Sequence, residues 1–483
     1  MTTKNCTELF LSRKGVDPAK TAILFLKSRD SLTNADHVSF GEFRALVAKG
    51  QSLLASRGVG PGDTVVLADT LSPVFFAWVM ATLAQGATLM LVEPWMPLAN
   101  IRHVIELMRP KAFVSGWMGS LWGLRSSAIR AVPHWIRTSE LPKASTGEAA
   151  RARDVDSSQI GIVTFTSGTT GAPKGVVRTH GYLAHHQEIL EGLFGFEAYA
   201  GPDLCVFANL ALSNLASGRG SVIVPADWKA SRLALVGELP TGVRPETLSC
   251  GPAFLRQFLK HGRADALRSI QVGGALTDCA IFERAFDRWP DARVTHVYGS
   301  SEAEPVALID AREAVRRSRG RGYFQTLCVG TPAEGTRFAS DEKGLWVAGG
   351  QVCPMYLGSE KDNRENKRRD ANGDVWHLMG DRIAADAEGI HWYGGRAQQD
   401  VALFELEQRF YAWFGSSAAL VHRDPRGRLA LVGEGVSARD AEIRAQFPEI
   451  EIRVEARIQR DRRHRARIDR AATLKKGAAW LTR

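Results

Sequence analysis

The sequence predicts an α/β protein: a large N-terminal domain of layered, mainly parallel sheets with covering helices (residues 1–395), then a small α+β domain (396–483). Three observations predict this. Helical and β-type segments alternate along the first part of the chain, the pattern of parallel sheets covered by helices. A length of 483 residues, 45% hydrophobic and 24% charged, suits a large globular core and more than one domain. After Arg396 the chain becomes Arg-rich, and its apolar runs, such as 418–421 and 429–432, are short.

Residues 39–57 have helical spacing, 64–67 read as a short strand and 74–84 as a helix. A strand at 87–92, a helix at 101–108 and a strand at 112–115 follow. The polar, turn-rich stretch 144–155 reads as a surface connection. The pattern then resumes with strands at 160–165 and 175–177 and a helix from about Gly181. Residues 74–92 are apolar enough to raise the question of a membrane span. Gln85 and Gly86 interrupt the stretch and Glu93-Pro94 closes it, so a buried helix followed by a buried strand is the better reading, and no membrane is implied.

The net charge of +10, from 62 Lys and Arg against 52 Asp and Glu, is modest for this length. Basic clusters at 312–321, 364–369 and 462–470 lack the interleaved aromatics of a base-stacking surface, so nucleic acid is not an expected partner. Six cysteines are scattered singly, with no CxxC pair or His-Cys cluster. That suggests neither a zinc site nor a disulfide framework and fits reduced thiols. The start, MTTKNCTELF, has no apolar signal core, and the expected location is cytoplasmic.

The strongest chemical feature is Thr164-Phe-Thr-Ser-Gly-Thr-Thr-Gly-Ala-Pro-Lys-Gly175, flanked on both sides by β-type runs. Glycines let backbone N–H groups approach phosphate oxygens, the hydroxyls of Ser167, Thr169 and Thr170 add donors, and Lys174 supplies a mobile cation. The loop is not a Walker A motif, because Pro173 precedes the lysine and strand-forming valines follow it. The plainer alternative is a Gly/Ser/Thr surface turn with an incidental lysine.

These residues resemble the phosphate loop of the class I adenylate-forming superfamily, which includes acyl-CoA synthetases, firefly luciferase and the adenylation domains of nonribosomal peptide synthetases. Further pieces follow in the family's order. Gly273-Gly274-Ala275-Leu276 resembles the adenine-side loop, Tyr298-Gly-Ser-Ser-Glu302 the Tyr-Gly-x-Thr-Glu motif, and Gly380-Asp381 with Gly395-Arg396 the ribose-binding stretch. The resemblance implies that ATP is held by Thr166, Ser167, Gly168, Thr169, Thr170, Gly171 and Lys174 at the phosphates. It implies that Gly273, Gly274, Ala275, Tyr298 and Gly299 lie along the base and Ser301 at the α-phosphate. Asp381 and Arg396 would then bind the ribose, and Glu302 would hold Mg²⁺.

The implied reaction joins a carboxylic acid to AMP and releases pyrophosphate. Lys174 and Mg²⁺ on Glu302 would neutralise the charge that develops as pyrophosphate leaves. Holding both substrates in line supplies up to about 7–11 kcal/mol. No covalent nucleophile is needed, and no GxSxG or Cys-His signature is seen.

Two departures from the family lie near the C-terminus. Asp461-Arg-Arg-His-Arg-Ala-Arg-Ile-Asp-Arg470 resembles the corresponding segment of the olefin-pathway β-lactone synthetases, with Arg467 where the family has a catalytic lysine. Arginine keeps the charge, but its planar fork places it differently from an ammonium. Beyond Arg396 the glycine-containing hairpin that lines the family's pantetheine tunnel is largely missing: Gln398 occupies the hinge position, and a helical pattern starts almost at once. Val375-Trp-His-Leu-Met-Gly-Asp381 and Val92-Glu-Pro94 add to the β-lactone synthetase likeness. The substrate this implies is a carboxylic acid, with β-hydroxy and fatty acids as candidates, and its own hydroxyl as the acceptor. Two alternatives stay open: a ligase passing the acyl group to CoA, a carrier protein or an amine, and a degenerate nucleotide-binding protein without activity. Residues 207–218 and 249–255 are candidate walls of the acid pocket.

Overall fold

The computed structural model describes residues 5–27, 32, 35–92, 96–145, 148–166, 173–195, 198–225, 229–460 and 468–477; of Thr166, Lys476 and Gly477 it describes the backbone alone. The fold is α/β, and the described strands form sheets of eleven, seven, four and three strands.

Each large sheet has a run of parallel strands that gives way to antiparallel pairing on one side, and the eleven-stranded sheet also carries an antiparallel strand, Asp36–Ser39, at its other edge. In the seven-stranded sheet Ala112–Ser115, Thr64–Ala68, Thr88–Val92 and Ile160–Thr166 run parallel, and Lys174–Thr179 then pairs antiparallel with Ile160–Thr166. In the eleven-stranded sheet Asp203–Cys205, Thr247–Cys250, Ser269–Gly273 and Arg293–Ser300 run parallel, and Ala303–Asp310 returns antiparallel. Loops at the carboxyl ends of such strands, where the strand order changes, are where open α/β sheets place ligands.

The apolar stretch 74–92 is the helix Pro73–Ala84 followed by the strand Thr88–Val92. Eleven of the twelve helix residues are buried, because the helix packs against strands of both large sheets and exposes no polar face. A neighbouring helix, Phe40–Ser56, starts at a capping box in which Ser39 and Glu42 satisfy each other's backbone N–H. It approaches the buried helix closely at Gly50, where an added Cβ would meet Ala81 at 2.7 Å. The strand read at 175–177 is longer, Lys174–Thr179, because its ladder with Ile160–Thr166 continues to Thr179.

The basic cluster 312–321 falls largely in the helix Ala311–Gly320, where Arg316 and Arg317 pair with Glu313, Arg317 also with Glu388, and Arg319 with Glu283. Its charge is spent on internal ion pairs. All six cysteines are free thiols, and five of them are buried.

The strand His391–Arg396 leads through residues 397–400 into the helix Val401–Phe414, whose N-terminus is capped by the Asp400 carboxylate. A three-stranded sheet follows, and Leu406, Phe410, Val421, Leu431 and Phe447 form its core together with Phe324 from the preceding part of the chain. Glu407 is buried beneath this sheet and accepts hydrogen bonds from Val421 N at 2.8 Å and Arg470 at 2.6 Å. Burial pushes its carboxyl up, and Arg470 opposes the shift.

Candidate nucleotide site

The predicted residues gather into two groups at the carboxyl ends of the parallel strands. Gly273 ends the strand Ser269–Gly273 and pairs in register with Val297, next to Tyr298. Only a glycine fits there, since a Cβ on Gly273 would meet Val297 O at 2.9 Å. Gly274 turns the chain with φ of 87°, which glycine adopts without strain, and Ala275 follows. Tyr298 donates its hydroxyl to Asp381 Oδ2 at 2.5 Å. Burial and then the Asp381 charge push that phenol well up, so it remains a donor.

Asp381 and Arg396 are register partners across two antiparallel strands, Asp381–Ala385 and His391–Arg396. Arg396 lies 3.1 Å from Asp381 Oδ1 and donates to Met379 O at 3.0 Å. The structure therefore brings Gly273, Gly274, Tyr298, Asp381 and Arg396 together, although they are spread over more than a hundred residues of chain.

The second group surrounds the turn between Arg293–Ser300 and Ala303–Asp310, where Ser301 and Glu302 follow Gly299. Lys174 opens its strand, in register with Thr166. Its Nζ lies 3.2 Å from Asp362 and 4.3 Å from the ring centroid of Tyr356. Tyr356 is held there because the strand Tyr356–Leu357 pairs with Val176 and Gly175. Its hydroxyl donates to Glu302 Oε1 at 3.0 Å. One tyrosine thus joins the lysine of the phosphate strand to the carboxylate of the other sheet. Ser167, Gly168, Thr169, Thr170, Gly171 and Arg467 lie outside the described residues, as do Glu93 and Pro94.

Sequence reasoning missed five residues here. Arg178, on the phosphate strand, donates to Thr164 Oγ1 at 2.9 Å and to Ser301 O at 2.8 Å, tying the two sheets together. Lys367 donates to Cys353 O at 2.5 Å and faces the ring of Tyr356 at 5.3 Å, next to Lys174. His377 is buried edge-on to the same ring, and Tyr356 and Asp362 complete the set. His377 falls within the 375–381 likeness, which assigns it no role.

The electrostatics follow from burial. Burial pushes the Lys367 ammonium down to about 8 and, with Lys367, pushes the His377 imidazole down to about 3. Burial also acts to raise Glu302, but His377, the Tyr356 hydroxyl, Lys174 and Lys367 outweigh it and leave the carboxyl below its ordinary value. A carboxyl held below its ordinary value is ionised near pH 7. Among the described residues no group of three His, Cys, Asp or Glu forms a metal cage. Mg²⁺ does not need one, because it binds through one or two carboxylates together with substrate phosphates and water. An ionised Glu302 linked through Tyr356 to Lys174 fits that donor set.

This fold and this arrangement define a nucleotide-binding α/β ligase of the adenylate-forming kind. Comparison with known families agrees: residues 13–357 match the family described as AMP-binding enzyme, and the chain belongs to that family. It is similar to an olefin β-lactone synthetase of Stenotrophomonas maltophilia, at 28% identity over 74% of this chain and 73% of the relative. A second olefin β-lactone synthetase, from Xanthomonas campestris, is 27% identical over 71% of this chain and 69% of its own length. Among solved structures, the anthranilate CoA ligase AuaEII in complex with anthranoyl-AMP superimposes with a TM-score of 0.80 over 100% of this chain and 98% of its own, at 14% identity. That last likeness speaks to the fold. The chain is therefore an adenylate-forming enzyme that activates a carboxylic acid.

Proposed function

We propose that this chain adenylates a β-hydroxy carboxylic acid and that the acyl group passes to the substrate's own hydroxyl, closing a β-lactone, rather than to CoA. The observation that carries the reading is the four-residue connection 397–400, which leaves no room for a tunnel-lining hairpin between Arg396 and the helix Val401–Phe414. The similarity to two olefin β-lactone synthetases supports it.

In this reading an oxygen of the carboxylate attacks the α-phosphorus of ATP, the bond to the β-phosphate breaks, and pyrophosphate leaves. The β-hydroxyl oxygen then attacks the acyl carbon, its proton is released, and AMP departs with the electrons of the broken C–O bond. Lys174 moves from Asp362 to the β- and γ-phosphates, with the Tyr356 ring holding its position. Asp381 accepts from the ribose hydroxyls, supported by Arg396, while Gly273, Gly274, Ala275, Tyr298 and Gly299 flank the base and Ser301 meets the α-phosphate. Thr166, Ser167, Gly168, Thr169, Thr170 and Gly171 cradle the phosphates. Glu302 would hold Mg²⁺, which when bound would supply positive charge against the leaving pyrophosphate. Residues 396–483 act as a small mobile domain that carries Arg467 to the reacting centre.

Acid-dependent pyrophosphate release with a panel of simple and β-hydroxy acids, with and without CoA, tests the reading. It predicts release that requires a β-hydroxy acid for sustained turnover and ignores CoA. Turnover only in the presence of CoA would refute it.

A further inference from the structure

The helix Trp117–Leu124 is built inside out. Its sequence, Trp-Met-Gly-Ser-Leu-Trp-Gly-Leu, turns the small residues toward the protein. A Cβ on Gly119 would strike the carbonyl oxygen of Ala68, and one on Gly123 would meet the Phe113 ring at 2.9 Å. The glycines therefore let the helix lie directly on the end of the seven-stranded sheet. Trp122 packs against the core, but the other four large apolar residues point the other way: Trp117 is 74% exposed, Met118 57%, Leu121 56% and Leu124 52%. A surface helix of a globular protein shows the reverse pattern, apolar side inward. These four side chains form one continuous face, since positions 117, 118, 121 and 124 recur at helical spacing.

The surrounding charge is one-sided. From Met96 to Arg137 the chain carries six Lys or Arg and a single acid, Glu106, so half of the net +10 falls within this segment. Arg102 pairs with Glu106 and Lys111 with Asp63. Arg109, Arg125 and Arg130 are exposed and have no carboxylate partner among the described residues.

We propose that the helix Trp117–Leu124 is a docking surface for an anionic lipid membrane, lying in the headgroup plane with Trp117, Met118, Leu121 and Leu124 inserted. An outward apolar face containing tryptophan, with Arg125 and Arg130 at the C-terminal end of the helix, is the pattern of an interfacial helix, and anionic headgroups complement the charge. A second copy of the chain fits poorly, because a two-fold contact would set the same positive surface against itself. None of the described helices is long and apolar enough to cross a bilayer. Peripheral binding needs no such helix. The strands Ala112–Ser115 and Ile160–Thr166 run parallel three spacings apart, so the docking helix follows a strand end on the same side of the sheet as Thr166, roughly 14 Å away.

The test is sedimentation of the full chain with phosphatidylcholine vesicles, alone or with roughly one-quarter phosphatidylglycerol. The proposal predicts binding to the anionic vesicles that weakens with salt. It predicts at least about a tenfold loss of binding in W117S/L121S and several-fold in R109Q/R125Q, with thermal melting and pyrophosphate release in solution unchanged. The substituted side chains are exposed, so folding is not at stake. Three results would overturn the proposal: no binding to anionic vesicles, equal binding by W117S/L121S, or an oligomer of the unmodified chain that W117S/L121S dissociates.

Discussion

The ammonium of Lys174 lies over the ring of Tyr356, 4.3 Å from its centroid, while the hydroxyl at the other end of the ring donates to Glu302. The phosphate strand and the proposed metal carboxylate are thus set by one side chain. Tyr356→Phe keeps the ring beneath the lysine and removes only the bond to a buried charge, worth about 1.5–3 kcal/mol. The Mg²⁺ concentration for half-maximal turnover is expected to rise roughly tenfold to a hundredfold. Calorimetric ATP binding without the metal is expected to stay unchanged.

Asp381 accepts from Tyr298 and pairs with Arg396, so its carboxylate is oriented before any nucleotide arrives. Asp381→Ala removes the proposed ribose acceptor and should weaken ATP by about 1.5–3 kcal/mol per lost charged hydrogen bond. Calorimetry reads this directly. An affinity equal to that of the unmodified chain would remove Asp381 from the site.

Three buried histidines away from Glu302 make the fold acid-sensitive. Burial pushes His180, His186 and His296 each down to about 4. Nε2 of both His180 and His186 has no hydrogen-bond partner among the described residues. Folded-state values below the unfolded value of about 6.5 mean that the unfolded chain takes up protons first on acidification. Stability is therefore lost as pH falls from about 6.5 towards 4, on the order of 1–2 kcal/mol per imidazole between pH 7 and 5. Melting temperatures across that range check the slope, and His296→Gln should flatten it.

The parts of the candidate site carried by contiguous motifs are legible in the sequence, because a glycine-flanked lysine or a Tyr-Gly-x-x-Glu run is a local signal. Lys174, Tyr298, Glu302 and Asp381 are of that kind. Tyr356, Lys367 and Arg178 were not, because each acquires its role from a partner far along the chain: Tyr356 through strand pairing with Val176, Arg178 through the Ser301 carbonyl. Read alone, each resembles an ordinary core or surface residue. The buried stretch 74–92 was read correctly as helix then strand, since its Gln-Gly break is a local signal. The helix Trp117–Leu124 escaped notice because its apolar residues face outward, against the pattern from which core helices are read.

The proposed counterpart of the family's catalytic lysine is Arg467, in a segment outside the described residues. If it does the lysine's work, Arg467→Ala lowers kcat with little change in ATP affinity, because most nucleotide contacts come from the larger part of the chain. Arg467→Lys retains activity or raises it, since it restores a compact ammonium. Single-turnover acyl-adenylate formation compares the three proteins, and an unchanged rate in Arg467→Ala would exclude the residue from the chemistry.

The most direct measurement is the mass of the product formed from ATP and a β-hydroxy acid in the presence of CoA. An intramolecular acceptor, argued from the short connection after Arg396, predicts a product equal to the acid less one water, with one AMP and one pyrophosphate released for each. An acyl-CoA thioester as the main product would contradict the account.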